Sequence, residues 1–250
     1  MSKDSIASIL TERIIVALDY ATAEEAQGLV RSLEGIPCYM KVGMQLFYSA
    51  GPRFVEQLKE KGYNVFLDLK MHDIPNTVKG GAESITRLGV DMFNVHAAGG
   101  VRMMEAAREG VDKALASSAA GSAGAVRPLL IAVTQLTSTS QSVLNEEIGI
   151  VGTVEEAVLR YAQLAKQAGL DGVVASPLEV PALKGALGSS FVTVTPGIRP
   201  AGADIGDQSR VMTPQEAFAQ GTDYIVIGRP ITAAADPRAA LEGIIASLQG

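Results

Sequence analysis

A short apolar run followed by a helix-like stretch recurs from one end of the chain to the other, and this rhythm limits the possible folds more than any single residue. The runs are Ile14–Asp19, Tyr39–Gly43, Val65–Leu69, Asp91–His96, Leu129–Val133, Gly172–Ser176, Phe191–Thr195 and Tyr224–Ile227. Between them, Thr22 stands before Glu24 and Glu25 as an N-cap ahead of acids should. Helical stretches follow at Phe54–Lys61, Thr77–Leu88, through Met103 and Ala114, and at Val154–Ala168 and Val180–Leu187. A further helix opens at Thr213-Pro214, and the last spans Asp236–Leu248. The strands are apolar nearly throughout, which suits a parallel sheet covered by helices. Eight such units favour a closed (β/α)8 barrel over an open doubly wound sheet. At 250 residues the chain has the usual size of such a barrel. No linker-like break divides it, so residues 1–250 are expected to form one α/β barrel domain. Ser117–Ala125 and Gly197–Val211 read as connecting loops.

Charge and residue counts narrow the function classes. A net charge of −6 disfavours nonspecific nucleic-acid binding, though it leaves room for a local basic pocket. The single cysteine, Cys38, excludes an intrachain disulfide and a multi-cysteine zinc site. With only His72 and His96 besides, a dedicated transition-metal site is not expected. Met1–Thr11 is too polar for a signal peptide, and no apolar run is long enough to span a membrane. A cytoplasmic location is the expectation, with no membrane partner.

Polar residues gather where the strands end: Asp19, Lys41, Asp68, Lys70, Asn94, His96, Thr134, Ser176, Thr195 and Arg229. In an α/β barrel these ends share one mouth, where active sites are built. The densest case is Val65–Pro75. Side chains alternate along a strand, so Asp68 and Lys70 share one face while Leu67 and Leu69 take the other. Burying such charges costs several kcal/mol per ion unless they are well paired. Lys41, Asp68, Lys70 and Asp73 therefore form a candidate array in which each charge is held by opposite neighbours. Asp68 and Lys70 also read as a structural ion pair, Asp73 ahead of Pro75 also reads as a helix cap, and His72 can face in or out. A second group, Pro196-Gly197-Ile198-Arg199-Pro200 and Gly228-Arg229-Pro230, follows strands seven and eight. Glycine-exposed amides and two guanidinium groups suit an anion, and barrels often hold a substrate phosphate at this corner. Both arginines also fit ordinary surface turns. Thr137, Ser138 and Thr139 follow strand five, where they can bond a polar ring or simply form the loop.

Asp68-Leu69-Lys70-Met71-His72-Asp73-Ile74-Pro75-Asn76-Thr77 resembles the D-x-K-x-H-D-I-P-N-T signature of the orotidine 5′-phosphate decarboxylase family, in its bacterial form. Ala17-Leu18-Asp19, Lys41-Val42-Gly43, Leu136-Thr137-Ser138, Pro196–Pro200, Gly206-Asp207-Gln208 and Gly228-Arg229-Pro230 match further family motifs in the same order. The resemblance implies decarboxylation of orotidine 5′-monophosphate to UMP, with Lys70 as the catalytic ammonium flanked by Asp68 and Lys41. It implies a homodimer in which Asp73 and Thr77 reach the neighbouring subunit's site. Asp19 and Thr77 would bond ribose hydroxyls, and Thr137 and Ser138 would lie near the pyrimidine. Gln208, Gly228 and Arg229 would grip the phosphate, with Arg199 in the same loop system. It implies neither metal nor organic cofactor. Related sugar-phosphate enzymes with a D-x-K-x-x-D motif use Mg2+ and carry a Glu ligand near the end of strand two. Lys41 occupies that place here, and its charge would repel the ion. A catalytically silent phosphate-binding barrel would be expected to have lost part of the charge array, which is complete.

Overall fold

The computed structural model describes residues 10–118, 126–200 and 212–248. Eight parallel strands close into a barrel in sequence order, β1 pairing with both β2 and β8. They are β1 (Ile14–Ala17), β2 (Tyr39–Gly43), β3 (Asn64–Met71), β4 (Met92–His96), β5 (Leu129–Val133), β6 (Gly172–Val174), β7 (Val192–Thr195) and β8 (Tyr224–Ile227). The expected (β/α)8 architecture is the observed one.

Helices follow the strands on the outside: α1 (Ala23–Ser32), α2 (Met44–Ala50), α3 (Pro52–Glu60), α4 (Pro75–Arg87), α5 (Gly100–Ser118), α6 (Val154–Gln167), α7 (Val180–Leu187), α8 (Pro214–Ala219), α9 (Arg229–Thr232) and α10 (Pro237–Ser247). Local chemistry sets several starts. Thr22, Thr153 and Thr213 each cap a helix through a reciprocal bond with a glutamate three residues on. The helical stretch expected at Phe54–Lys61 is α3, and a further helix not expected from the sequence, α2, precedes it. Gly51, at φ 68°, turns the chain between α2 and α3 in a conformation that favours glycine.

Strand alternation sorts the apolar side chains into two buried layers. Ile14, Val16, Met40, Val42, Val65, Leu67, Phe93 and Val95 face the helices. Ile15, Tyr39, Phe66, Met92, Ile131, Val194 and Val226 fill the barrel interior. Two residues further along β2, β3 and β4, the inward positions change from Tyr39, Phe66 and Met92 to Lys41, Asp68 and Asn94. The barrel is thus plugged below and polar at its mouth.

A repeated device secures the opposite end. Asp91, Asp171 and Asp223 immediately precede β4, β6 and β8, each within a Gly-x-Asp sequence. The amide of each donates to a carbonyl on the preceding strand, of Val65, Leu130 and Thr193 respectively. The carboxylate of each accepts the amide of that same residue, at 2.7, 2.7 and 2.8 Å. A cation from the helix before that strand completes each clamp: Lys59 of α3, Arg108 of α5 and Lys184 of α7. Cys38 stands in the corresponding place before β2.

Candidate active site

A cavity of about 610 Å³ opens at the carboxyl ends of the strands. Its walls include Asp19, Lys41, Asp68, Lys70, Thr137, Ser138, Arg199, Gly228 and Arg229. The cavity therefore joins the charged ends of β1 to β3 with the residues after β5, β7 and β8. Apolar Ala17, Phe66, Val133, Val174 and Val226 line it as well. Leu136 and Pro196, members of the motifs after strands five and seven, also line it, as does Gln135, which was not singled out from the sequence because a loop residue carries no periodic signal.

The first three strands supply a chain of alternating charge. Lys41 Nζ lies 3.2 Å from Asp19 Oδ1 and 3.3 Å from Asp68 Oδ2. Lys70 Nζ donates to Asp68 Oδ1 at 2.7 Å, and Asn94 Nδ2 donates to the same oxygen at 2.7 Å. Burial alone would push the Asp68 carboxyl up, but Lys41, Lys70 and these donors outweigh it and hold the pKa below the ordinary value. Burial likewise opposes the Lys41 ammonium, and the Asp68 and Asp19 carboxylates reverse the effect, leaving its pKa raised. Both groups stay charged at neutral pH because each is the other's counterion.

Asp68 and Lys70 do face the same way, but not by plain strand alternation. Leu67 pairs with Phe93 and Met71 with Val95, so β3 places three residues opposite the one residue, Asn94, of β4. Within that bulge Lys70 has φ 52°, the only positive φ at a non-glycine position among the described residues. The left-handed conformation costs roughly 1–2 kcal/mol. Backbone strain of this kind is concentrated at functional sites.

The polar strand ends fall into two groups. Thr134 donates to the Val174 carbonyl at 2.8 Å, and Thr195 to that of Tyr224 at 3.3 Å. Ser176 caps the turn Pro177–Glu179. These three have structural partners away from the charge array. His96 stacks obliquely near His72, ring centres 5.8 Å apart, and burial, His72 and Lys70 together lower its pKa, so it is neutral at neutral pH.

Arg199 is buried at the mouth, its Nη1 donating to the Ile198 carbonyl at 2.9 Å, and Arg229 begins α9 directly after Gly228. Gln208 lies outside the described residues. Asp73 and Thr77 are brought near the mouth in sequence but do not line the cavity of their own barrel. Both are exposed, as is every residue from His72 to Thr77. Asp73 does not cap α4: the N-cap is Ile74, whose amide donates to Asp73 Oδ1 at 2.6 Å.

Comparison with known families decides the lineage. Residues 12–244 match the Orotidine 5′-phosphate decarboxylase / HUMPS family. The chain belongs to this family. A curated relative from Bacillus cereus, named orotidine 5′-phosphate decarboxylase, is 51% identical over 241 residues, covering 96% of this chain and 99% of the relative. A relative of the same name from Bacillus anthracis matches equally, at 51% over 241 residues. Among solved structures, orotidine 5′-phosphate decarboxylase from Lactobacillus acidophilus superposes with a TM-score of 0.83 at 43% identity, covering 96% of this chain and 100% of that one. The Pyrococcus horikoshii enzyme of that name gives a TM-score of 0.73 at 25% identity, with 95% of this chain and 99% of that one covered. The expected family membership and barrel architecture both hold.

Proposed function

We propose that this protein, as one barrel domain per subunit, decarboxylates orotidine 5′-monophosphate to UMP and CO2, the last step of UMP synthesis. The names of its relatives support the reaction. The observation that carries the mechanism is the charge chain Asp19–Lys41–Asp68–Lys70 along a cavity that also holds Arg199 and Arg229. The 5′-phosphate is assigned to Gly228, Arg229 and Gln208, with Arg199 beside them. The ribose is assigned to Asp19 and the pyrimidine to the Thr137–Ser138 side.

Breaking the bond between C6 and the carboxylate leaves its electron pair on C6 as CO2 departs. A preorganised ammonium at Lys70 stabilises that carbanion and then transfers a proton from Nζ to C6, the resulting amine recovering its proton from water. Asp68 and Lys41 hold Lys70 in position, and their mutual pairing keeps the array charged without bulk water. Phosphate contacts far from the breaking bond align the ring over Lys70, so their binding energy appears in the rate.

The working unit is proposed to be a homodimer in which Asp73 and Thr77 enter the partner's site. Their exposure outside their own cavity supports this, as does Ile74, an apolar side chain 67% exposed between them. No metal or organic cofactor is assigned a role. The test is the loss of orotidine monophosphate absorbance with EDTA-treated protein. Turnover without added metal is expected; no turnover, or turnover only with Mg2+, overturns the reading.

A further inference from the structure

We infer that Asn94 is a positioning residue that sets both the backbone of Lys70 and the carboxylate of Asp68, holding the charge array in its reactive arrangement. The inference rests on the proposed role of Lys70. In the bulge of β3, Asn94 alone faces Asp68, Leu69 and Lys70. The bulge takes the Lys70 amide out of the regular strand ladder, and Asn94 Oδ1 accepts it at 2.8 Å. The other end of the same side chain, Nδ2, donates to Asp68 Oδ1 at 2.7 Å. A backbone amide can only donate and a carboxylate can only accept, so the chemistry allows one orientation of this amide group. Asn94 is 1% exposed, so neither bond has water in competition.

These two bonds do different work. The first rewards the left-handed backbone at Lys70 by satisfying the amide that the bulge removes from the ladder. The second fills the remaining site on Asp68 Oδ1, fixing the carboxylate against Lys70 while Oδ2 faces Lys41. Without Asn94 the strained turn can relax to negative φ, which swings the ammonium away from the place where C6 must lie. Displacements near 1 Å at a reacting group cost about a hundredfold in rate.

Asn94→Ala is expected to lower kcat about a hundredfold while UMP binding changes by less than about threefold. In the ligand-free variant the Asp68 carboxyl is expected to titrate higher than in the parent protein, since it loses a donor. Asn94→Leu keeps the approximate shape but removes both the acceptor for the Lys70 amide and the donor to Asp68. It is expected to show the same loss of kcat, and it serves if the alanine variant does not fold. A crystal structure of either variant should show Lys70 with negative φ or its Nζ withdrawn from Asp68. Wild-type-like kcat, a proportional loss of kcat and UMP binding, or an unmoved Lys70 overturns the inference. A wild-type protein that turns over no orotidine monophosphate counts against the proposed reaction instead, and the Lys70 geometry then judges Asn94 on its own.

Discussion

Asp68 is the residue at which the site's interactions meet, since Lys70 and Asn94 share one of its oxygens and Lys41 faces the other. Replacing Lys70 by alanine removes the ammonium that the proposed carbanion requires. Lys70→Ala should lose at least about a thousandfold in kcat and keep most of its affinity for UMP, measured by titration calorimetry. Near-wild-type turnover would remove Lys70 from its role. The pKa directions add a second expectation. The Asp68 pKa is lowered, so its stabilising charge is present above the ordinary carboxylate value and is lost as pH falls through the lowered one. The Lys41 pKa is raised, so its contribution is present below the ordinary lysine value and is lost as pH rises through the raised one. In the ligand-free protein the Asp68 carboxyl should therefore titrate below the ordinary carboxylate range, as followed by NMR; titration within that range argues against an intact Asp68 pair. Lys41, Asp68 and Lys70 were legible in the sequence because each interrupts an apolar strand. The task of Asn94 was not, because it arises from a register shift between strands whose partners are 26 residues apart.

At the level of elements, the strand order, most helices and the starts at Thr22 and Thr213 could be read from apolar runs and capping spacing, while the cap at Thr153 was not. The division of α2 from α3 was also written in the sequence, since Gly51-Pro52 ends one helix and starts the next, although the reading of a helical stretch about Phe54–Lys61 did not use it. The aspartate clamps at the closed end were also missed. Gly-x-Asp is too short to signal anything until the strands it joins are adjacent. Asp171 accepts the Leu130 amide and pairs with Arg108, whose Nη1 is buried without a hydrogen-bond partner among the described residues. Asp171→Ala leaves that amide and the guanidinium short of partners. It should destabilise the fold by about 1–3 kcal/mol, read as a lower thermal midpoint. Because the clamp lies at the end away from the mouth, kcat/KM at 25 °C should stay unchanged. A loss of activity without a loss of stability would contradict this division between the two ends.

For the whole molecule, the proposed split of one segment between two sites has a numerical signature. Lys70→Ala and Asp73→Ala damage different halves of the same constellation. Mixed and reassociated at equal amounts, they should form random dimers, half of them hybrids with one undamaged site. The mixture should recover about a quarter of wild-type turnover, whereas each variant alone stays inactive. No recovery after verified subunit exchange would place Asp73 in its own subunit's site or outside catalysis altogether. This arrangement was legible only through family resemblance, because nothing in one chain's residue pattern states which copy a side chain serves.

The clamps carry one more consequence, for how the chain can be divided. Their members fall in three stretches that do not overlap, 59–91, 108–171 and 184–223. Each staple is closed by residues from a single unbroken piece of polypeptide. New termini introduced near Gly99–Gly100, or between Ala175 and Val180, would sever none of them. The barrel is one ring to its substrate, but to its own chain it is a set of separately tied bundles.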